Sequence, residues 1–359
     1  MARSTSKALR KRRGGRASKV ARDARAAADL GALTLPACRI ERLLGRSRRV
    51  WTVDDLVDFY VREGLRSVSL KHVGADGFLK TLDFIPRDLQ HLRDIITAGE
   101  RADGSSLFSE LGIRSGRSDI LLRPRLDSAF VDPFAAEPTL AFLCGHVGAD
   151  GLSLPESPDS IVRAASEALA RESGIDLFAL GEVEYFIGRR ALTPDSFGDS
   201  DRGYHASSPI VFGETLRREA MILLGEIGVP IKYGHSEVGY IQASETEGVL
   251  WEQHEIELSL APLAEAADAI VLTQWVLRNL AARHELLCSF DPMVRRGHPG
   301  SGLHIHFSPM IGGEHLGGYD EAGQLHEAAR WMIGGFVQLG AALMAFGNRK
   351  EGSFWRLSQ

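Results

Sequence analysis

Two short segments hold residues whose types and spacing could do chemistry. The first is Gly300-Ser301-Gly302-Leu303-His304-Ile305-His306-Phe307-Ser308. Side chains alternate between the faces of an extended strand, so His304, His306 and Ser308 project to one side and Leu303, Ile305 and Phe307 to the other. One face can bury while the other offers two imidazoles and a hydroxyl, groups suited to divalent metals and phosphate. Two histidines on the wet face of an ordinary amphipathic strand would look the same, so more is needed. Leu180-Gly181-Glu182-Val183-Glu184-Tyr185-Phe186-Ile187 adds it. Glu182 and Glu184 share a face roughly 7 Å apart, and carboxylates that close disfavour joint ionisation unless water or a cation compensates.

A third region contains His235-Ser236-Glu237-Val238-Gly239 and, further on, Glu252-Gln253-His254-Glu255-Ile256-Glu257-Leu258. A carboxylate-rich set with few imidazoles favours magnesium or manganese, which usually serve nucleotide phosphates.

The elements that must position these groups read as an α+β arrangement. Apolar spacing predicts helices over 53–63, 160–172, 213–228, 261–284 and 324–346. Strands are expected over 65–70, 79–85, 118–124, 177–187 and 231–233, with a polar loop over 188–210. Strands alternate too irregularly with helices for a doubly wound sheet. Punctuation at Pro133 and Glu156-Ser157-Pro158 suggests a basic extension over 1–49, a small mixed domain over 50–145 and a larger domain over 146–359.

Composition bounds the class. At 359 residues, with 44% hydrophobic and 25% charged residues, the chain reads as an ordinary globular protein able to bury a large core. No apolar run approaches the ~20 residues that span a bilayer. Cys38, Cys144 and Cys288 are odd in number and far apart, which argues for a reducing cytoplasm and against a disulfide framework. Residues 1–30 hold ten Lys or Arg against Asp23 and Asp29, a balance of +8; since the whole chain is −5, the remainder is −13. Such an Arg- and Ala-rich start fits a solvated extension, an organelle address or a polyanion-binding arm, and nucleic acid is not the expected partner.

In this order, the segments resemble glutamine synthetase. Asp103-Gly104-Ser105-Ser106 is similar to that family's Asp-Gly-Ser-Ser loop, and Arg117-Ser118-Asp119-Ile120-Leu121-Leu122-Arg123-Pro124 to its Ser-Asp-Met-x-Leu-x-Pro strand. The Gly-x-Glu-x-Glu strand, His235 to Glu237, Gln253-x-Glu255 and the Gly-Ser-Gly-x-His-x-His-x-Ser strand follow. Gly352-Ser353-Phe354-Trp355-Arg356-Leu357 resembles the family's Asn-Ser-Tyr-Lys-Arg-Leu. Each motif is weak alone; seven in order, in a resemblance that runs from about residue 50 onward, are not.

The resemblance implies a β-grasp-like N-terminal domain, a catalytic domain with a curved antiparallel sheet and flanking helices, and stacked homo-oligomeric rings with active sites between subunits. It implies ATP as co-substrate, glutamate and ammonia as the other substrates, and two Mg2+ or Mn2+ ions per site. Carried over, Glu184, Glu237 and Glu255 would hold the first ion, and Glu182 and His304 the second. His306 and Ser308 would meet ATP, Gly300 and Arg356 the amino-acid substrate, and Asp103 would reach a neighbouring subunit's site to bind or deprotonate ammonium.

Four departures stand out. Pro299 replaces the family's Asn before Gly-Ser-Gly, and Phe290-Asp291-Pro292-Met293 replaces Phe-Met-Pro-Lys. Glu237 and Glu255 are 18 residues apart where the family has eight; Glu245 keeps the shorter spacing but lacks the Gln-x-Glu-Ile context, so Glu255 is preferred and 241–250 is read as an inserted loop. The chain also stops just past Arg356, and it is expected to be C-terminally incomplete, with an uncovered apolar face or open strand edge around 303–307 and weak ligase activity alone. The alternatives are a γ-glutamyl-amine or polyamine ligase and a catalytically silent ring subunit or regulator.

Overall fold

Alternating polarity becomes a sheet wherever one face can be buried. The computed structural model describes residues 38–108, 119–191, 200–244 and 246–358, and in them two sheets form. The first contains β1 (Ser67–Val73), β2 (Leu79–Phe84), β3 (Glu100–Asp103), β4 (Asp119–Pro124), β5 (Phe130–Val131) and β6 (Thr139–Val147). Its order is β2-β1-β6-β4-β3, with β5 also on β6. Only β1 and β6 run parallel. Against it pack α1 (Arg39–Leu44), α2 (Val53–Arg62) and α3 (Leu89–Ala98), through Ile40, Leu56, Phe59, Leu92 and Ile96. Helix α1 lies within the stretch assigned to the N-terminal extension. Thr52 starts α2 with a reciprocal cap: its hydroxyl accepts from Asp55 N while Asp55 accepts from Thr52 N. A single turn, α4 (Gly104–Leu107), follows β3.

The second sheet is antiparallel throughout and contains β7 (Asp176–Arg190), β8 (Ile231–Ile241), β9 (Val249–Leu258), β10 (Ala261–Pro262), β11 (Leu287–Ser289), β12 (Leu303–Ile311) and β13 (Glu314–His315). The order is β13-β12-β7-β9-β8, and β10 and β11 also pair with β7. Helices α5 (Pro158–Ser173), α6 (Glu214–Glu226) and α7 (Leu263–Arg283) flank it, followed by α8 (Glu327–Gln338), α9 (Gly340–Gly347) and α10 (Glu351–Leu357). Alternation puts Val183, Tyr185 and Ile187 of β7 into the core with Leu272, Val276 and Leu280, spaced about one turn apart on α7. Phe130, Ala141 and Leu143 of the first sheet join the same cluster. Arg125 adds a fork to Asp268 of α7 at 2.6 and 2.9 Å, the planar bidentate pair that guanidinium geometry favours.

The architecture is α+β, as the sequence predicts, with informative differences. The strand expected over 231–233 continues to Ile241, carrying His235 and Glu237 into the sheet. The stretch read as an inserted loop is the connection between β8 and β9, with, among its described residues, only Ile241, Val249 and Leu250 in strands and Ile241 opposite Trp251 at its base. The single helix expected over 324–346 is two, bent by 71° at Leu339. Gly334, Gly335 and Gly340 crowd that point, and each glycine costs a helix up to about 1 kcal/mol relative to alanine.

Among the described residues β12 has no outer neighbour from Leu303 to Ser308. Leu303 and Ile305 are exposed there, as are Trp331, Val337, Phe346 and Phe354 on the helices that follow. The open edge expected around 303–307 is therefore present. Phe307 is partly covered, by Phe336 and the Ala179, Ala261 and Ala266 cluster. No single described helix is long and apolar enough to cross a membrane.

Candidate active site

Register in the second sheet decides which polar side chains meet. Glu182 stands opposite His304 on one side and Glu257 on the other. Glu184 stands opposite Glu255, which in turn faces His235 of β8. Pairing partners in a sheet share a face, so four strands put their charged groups on one surface. Between Ser236 and Tyr240 a bulge shifts the register of β8, bringing Glu237 beside the same surface.

The contacts are close. The Glu182 carboxylate accepts from His304 Nδ1 at 2.8 Å and from His306 Nε2 at 2.7 Å. Glu184 Oε2 accepts from Gln253 Nε2 at 2.8 Å and Gly302 N at 3.0 Å, while Oε1 lies 3.5 Å from His304 Nδ1. His235 lies 3.5 Å from Glu255 and 3.6 Å from Glu237. Among the described residues two groups have ligand atoms mutually within 4.8 Å: His235, Glu237 and Glu255, and Glu182, Glu255 and Glu257. Glu255 belongs to both.

Burial comes first, and then Glu182, Glu184, Glu237 and Glu257, in pushing the Glu255 carboxyl up to about 8. This is what a desolvated group among like charges should do. Burial also opposes ionisation of Glu257, but Lys232, 2.6 Å away, and the Tyr233 hydroxyl hold it below the usual range. Hydrogen bonding to Glu257 raises the Tyr233 hydroxyl to about 12. The donor set therefore fits hard divalent cations: carboxylate oxygens in excess over imidazoles, within one ion's reach, with repulsion that a cation would relieve.

The Gly-Ser-Gly turn is explained by what crowds it. A Cβ on Gly300 would lie 2.1 Å from the Pro292 carbonyl oxygen and 3.1 Å from Arg356 Cδ. A Cβ on Gly302 would lie 2.8–2.9 Å from His304 Nε2, Arg356 Nη2 and Glu184 Oε1. Arg356, from the far end of α10, is thus wedged against the turn and the carboxylates, although it forms no ion pair with a described residue. Lys350, at the start of α10, pairs with Asp291 at 2.5 Å, so a lysine does reach the Phe290–Met293 corner, from another element.

On the opposite face of β9 a buried relay supports the surface. Arg217 of α6 donates to His254 Nδ1 at 2.7 Å, His254 Nε2 meets Glu252 at 2.7 Å, and Glu252 accepts from Phe212 N and Gly213 N before α6. Such a network fixes a strand's rotation, although Arg217 Nε is buried without a partner among the described residues. At the rim, Asp201, Gly203 and His205 donate through backbone N–H to Tyr240, Val238 and Ser236, adding an edge to β8. That edge stacks Tyr204 on His205 with centroids 4.2 Å apart, and places both rings near His235, at 5.5 and 4.7 Å. Asp201 and His205 have left-handed φ of 57° and 56°, a conformation that non-glycine residues adopt at a cost of order 1 kcal/mol.

Of the residues singled out from sequence, Glu182, Glu184, Glu237, Glu255, His304, His306, Gly300 and Arg356 gather here. His306 meets Glu182, whereas the resemblance sends it to ATP. Ser308 lies further along β12, with Oγ 3.2 Å from His315 Nδ1. Asp103 is elsewhere: exposed at the end of β3, it accepts from Ser105 N, Ser105 Oγ and Ser106 Oγ, which hold its carboxyl low. Glu245, Arg117 and Ser118 fall outside the described residues. Sequence reasoning missed His235, Gln253, Glu257 and the Tyr204 segment as parts of the site. Alternation along β9 already put Gln253 and Glu257 in phase with Glu255, and was the available signal.

A family model described as glutamine synthetase, catalytic domain, matches residues 155–359. Over 299 residues the chain is 30% identical to a 3-hydroxylaminophenol mutase of Cupriavidus pinatubonensis, covering 74% of this chain and 60% of that protein. Over 290 residues it is 31% identical to a glutamine synthetase of Neisseria gonorrhoeae, covering 72% and 59%. The chain therefore spans about 60% of the length of these relatives. In fold it resembles a cryo-EM structure of Plasmodium falciparum glutamine synthetase, with TM-score 0.71, 17% identity and coverage of 85% of this chain and 63% of that one. It also resembles a ligand-free GmaS, at TM-score 0.70, 19% identity and coverage of 84% and 68%.

Proposed function

The chain belongs to the glutamine synthetase family, and from that premise we propose that it ligates ammonia to the γ-carboxylate of glutamate at the expense of ATP, forming glutamine. The observation that carries this reading is the convergence of Glu182, Glu184, Glu237, Glu255 and His304 from four strands beside Gly302 and Arg356. A carboxylate is a poor electrophile because its leaving group would be oxide. Transfer of the ATP γ-phosphoryl group to glutamate gives an acyl phosphate and ADP; ammonia then displaces phosphate. Phosphoryl transfer is catalysed mainly by positioning and charge neutralisation. Divalent Mg2+ or Mn2+ at the carboxylates supplies that neutralisation when bound. Glu182, Glu184, Glu237, Glu255 and His304 would hold the ions, and Arg356 offers a planar fork to a carboxylate or phosphate. Gly300 and Gly302 let the substrate turn lie close, and His306 and Ser308 line the strand toward ATP.

Asp103 would complete a neighbouring subunit's site in a homo-oligomeric ring, binding or deprotonating ammonium. Its side-chain bonds among the described residues, to Ser105 and Ser106, are compatible with that role. A cytoplasmic setting goes with this reading. A second reading, an organic amine in place of ammonia, is favoured by the Tyr204, His205 and His235 rings beside Glu237 and Glu255, since aromatic faces attract alkylammonium groups.

Divalent-dependent phosphate release from ATP, measured with and without glutamate and then with ammonia or several amines, tests both. Glutamate-dependent release is expected, and the acceptor that most accelerates it identifies the substrate. ATP turnover indifferent to glutamate, with no binding of Mn2+, would leave a catalytically silent family member. For Asp103, mixing inactive Asp103→Asn and Glu184→Gln chains should restore activity; no recovery would refute shared sites.

A further inference from the structure

Glu257 lies outside every assignment that spacing or resemblance makes, yet it is built into the charged surface. It stands directly opposite Glu182 in the β7–β9 ladder, and its oxygens come within 4.8 Å of those of Glu182 and Glu255. Only 4% of the residue is exposed. Lys232 Nζ takes Oε1 at 2.6 Å and the Tyr233 hydroxyl also bonds to this carboxylate, whereas Oε2 is shut away from solvent without a hydrogen-bond partner among the described residues. A buried carboxylate oxygen left without a donor is costly and uncommon. The Lys232 side chain is half exposed, so it can swing into water with little loss, while Glu257 cannot leave.

We propose that Glu257, with Glu182 and Glu255, forms a three-carboxylate site for a hard divalent cation, and that Lys232 is the counter-ion such a cation displaces. The inference rests on reading this surface as a divalent-cation site and adds a ligand to it. Opposed oxygens around an octahedral Mg2+ lie about 4.2 Å apart, so small side-chain rotations close the observed separations onto one ion. An ion pair kept only for folding would satisfy both oxygens of Glu257; this one leaves Oε2 without a donor in a carboxylate that lies beside those of Glu182 and Glu255. A cation between them turns that repulsion into coordination. Because Lys232 competes for Glu257, its removal should strengthen cation binding, the reverse of what loss of a supporting contact would do.

The test is Mn2+ titration of the full chain, following free Mn2+ by electron paramagnetic resonance, with folding checked by near-UV circular dichroism. Glu257→Gln, and Glu257→Asp, which keeps the charge but withdraws the oxygens, should each weaken binding at one position about tenfold or more. Lys232→Met should tighten it several-fold and decides the matter if the Glu257 variants misfold. Wild-type affinity and stoichiometry in the folded variants would leave Glu257 as an ion-pair partner and overturn this inference alone. Absence of Mn2+ binding by the wild type would instead overturn the proposed function, and this site with it.

Discussion

Replacing Glu255 by glutamine should stabilise the metal-free protein at pH 8. In the folded chain burial and four neighbouring carboxylates raise the Glu255 carboxyl from its ordinary 4.5 to about 8. The folded value is the higher one, so the folded state holds the proton more tightly than the unfolded state. Stability from this group is present below pH 4.5 and is lost as pH rises toward 8. At 1.36 kcal/mol for each pH unit between the two values, the loss amounts to at most about 5 kcal/mol. A glutamine amide in its place would resemble the neutral acid and never ionise. Urea denaturation in a chelator, from pH 5 to pH 8, should show the two proteins nearly equal at the acid end and diverging steadily above it. Mn2+ at pH 8 should then stabilise the wild type far more than Glu255→Gln. Parallel curves across the whole range would refute the reasoning, because Glu255 would then feel no more repulsion folded than unfolded.

Two further outcomes follow from the geometry. His72 and His146 are buried and 3.0 Å apart; burial lowers both to about 4, helped by Lys80 for the first and His72 for the second. Folded values below 6.5 mean full stability above pH 6.5, lost as pH falls toward 4 by up to about 3 kcal/mol per group; His72→Gln should flatten this acid limb in thermal melts, and an unchanged limb would count against it. Gly300→Ala drives Cβ into the Pro292 carbonyl and should destabilise by about 1–3 kcal/mol, whereas Gly302→Ala meets only side-chain ends and should spare the melting temperature while weakening Mn2+ binding. The opposite ranking would show that the turn is free to move.

Much of this was legible in the sequence because strands encode faces by parity. Glu182 with Glu184, and His304 with His306, could be placed on common faces before any pairing was known. What parity cannot supply is register between strands. That Glu182 lies between His304 and Glu257, and Glu184 beside Glu255, depends on hydrogen bonding across β12, β7 and β9. The role of Gln253 was hidden for the same reason: its amide bridges Glu184 and the Gly300 carbonyl, partners 69 and 47 residues away. The bend at Leu339 was missed because apolar spacing outweighed the three glycines. Tyr204 was hidden in a stretch whose composition reads as loop, although its neighbours Gly203 and His205 bond to the edge of β8.

Strand β7 has four partners: β12 along 176–183 and β11 along 186–188 on one edge, β9 along 182–190 and β10 at 178–179 on the other. Most backbone amides in it are therefore committed, and those cannot open without parting a neighbour. In hydrogen exchange its central amides should be among the last to take up deuterium, opening only when the molecule as a whole does. Glu182 and Glu184 thus ride on the least mobile rail of the sheet, while the Gly300–Gly302 turn is held more lightly, by the Gln253 amide on the Gly300 carbonyl and by Gly302 N on Glu184. Admission of substrate and release of product should be accomplished by that lighter turn moving past a stationary pair of carboxylates. A slow step in turnover would then report loop motion at the rim, with the charged floor beneath it already in place.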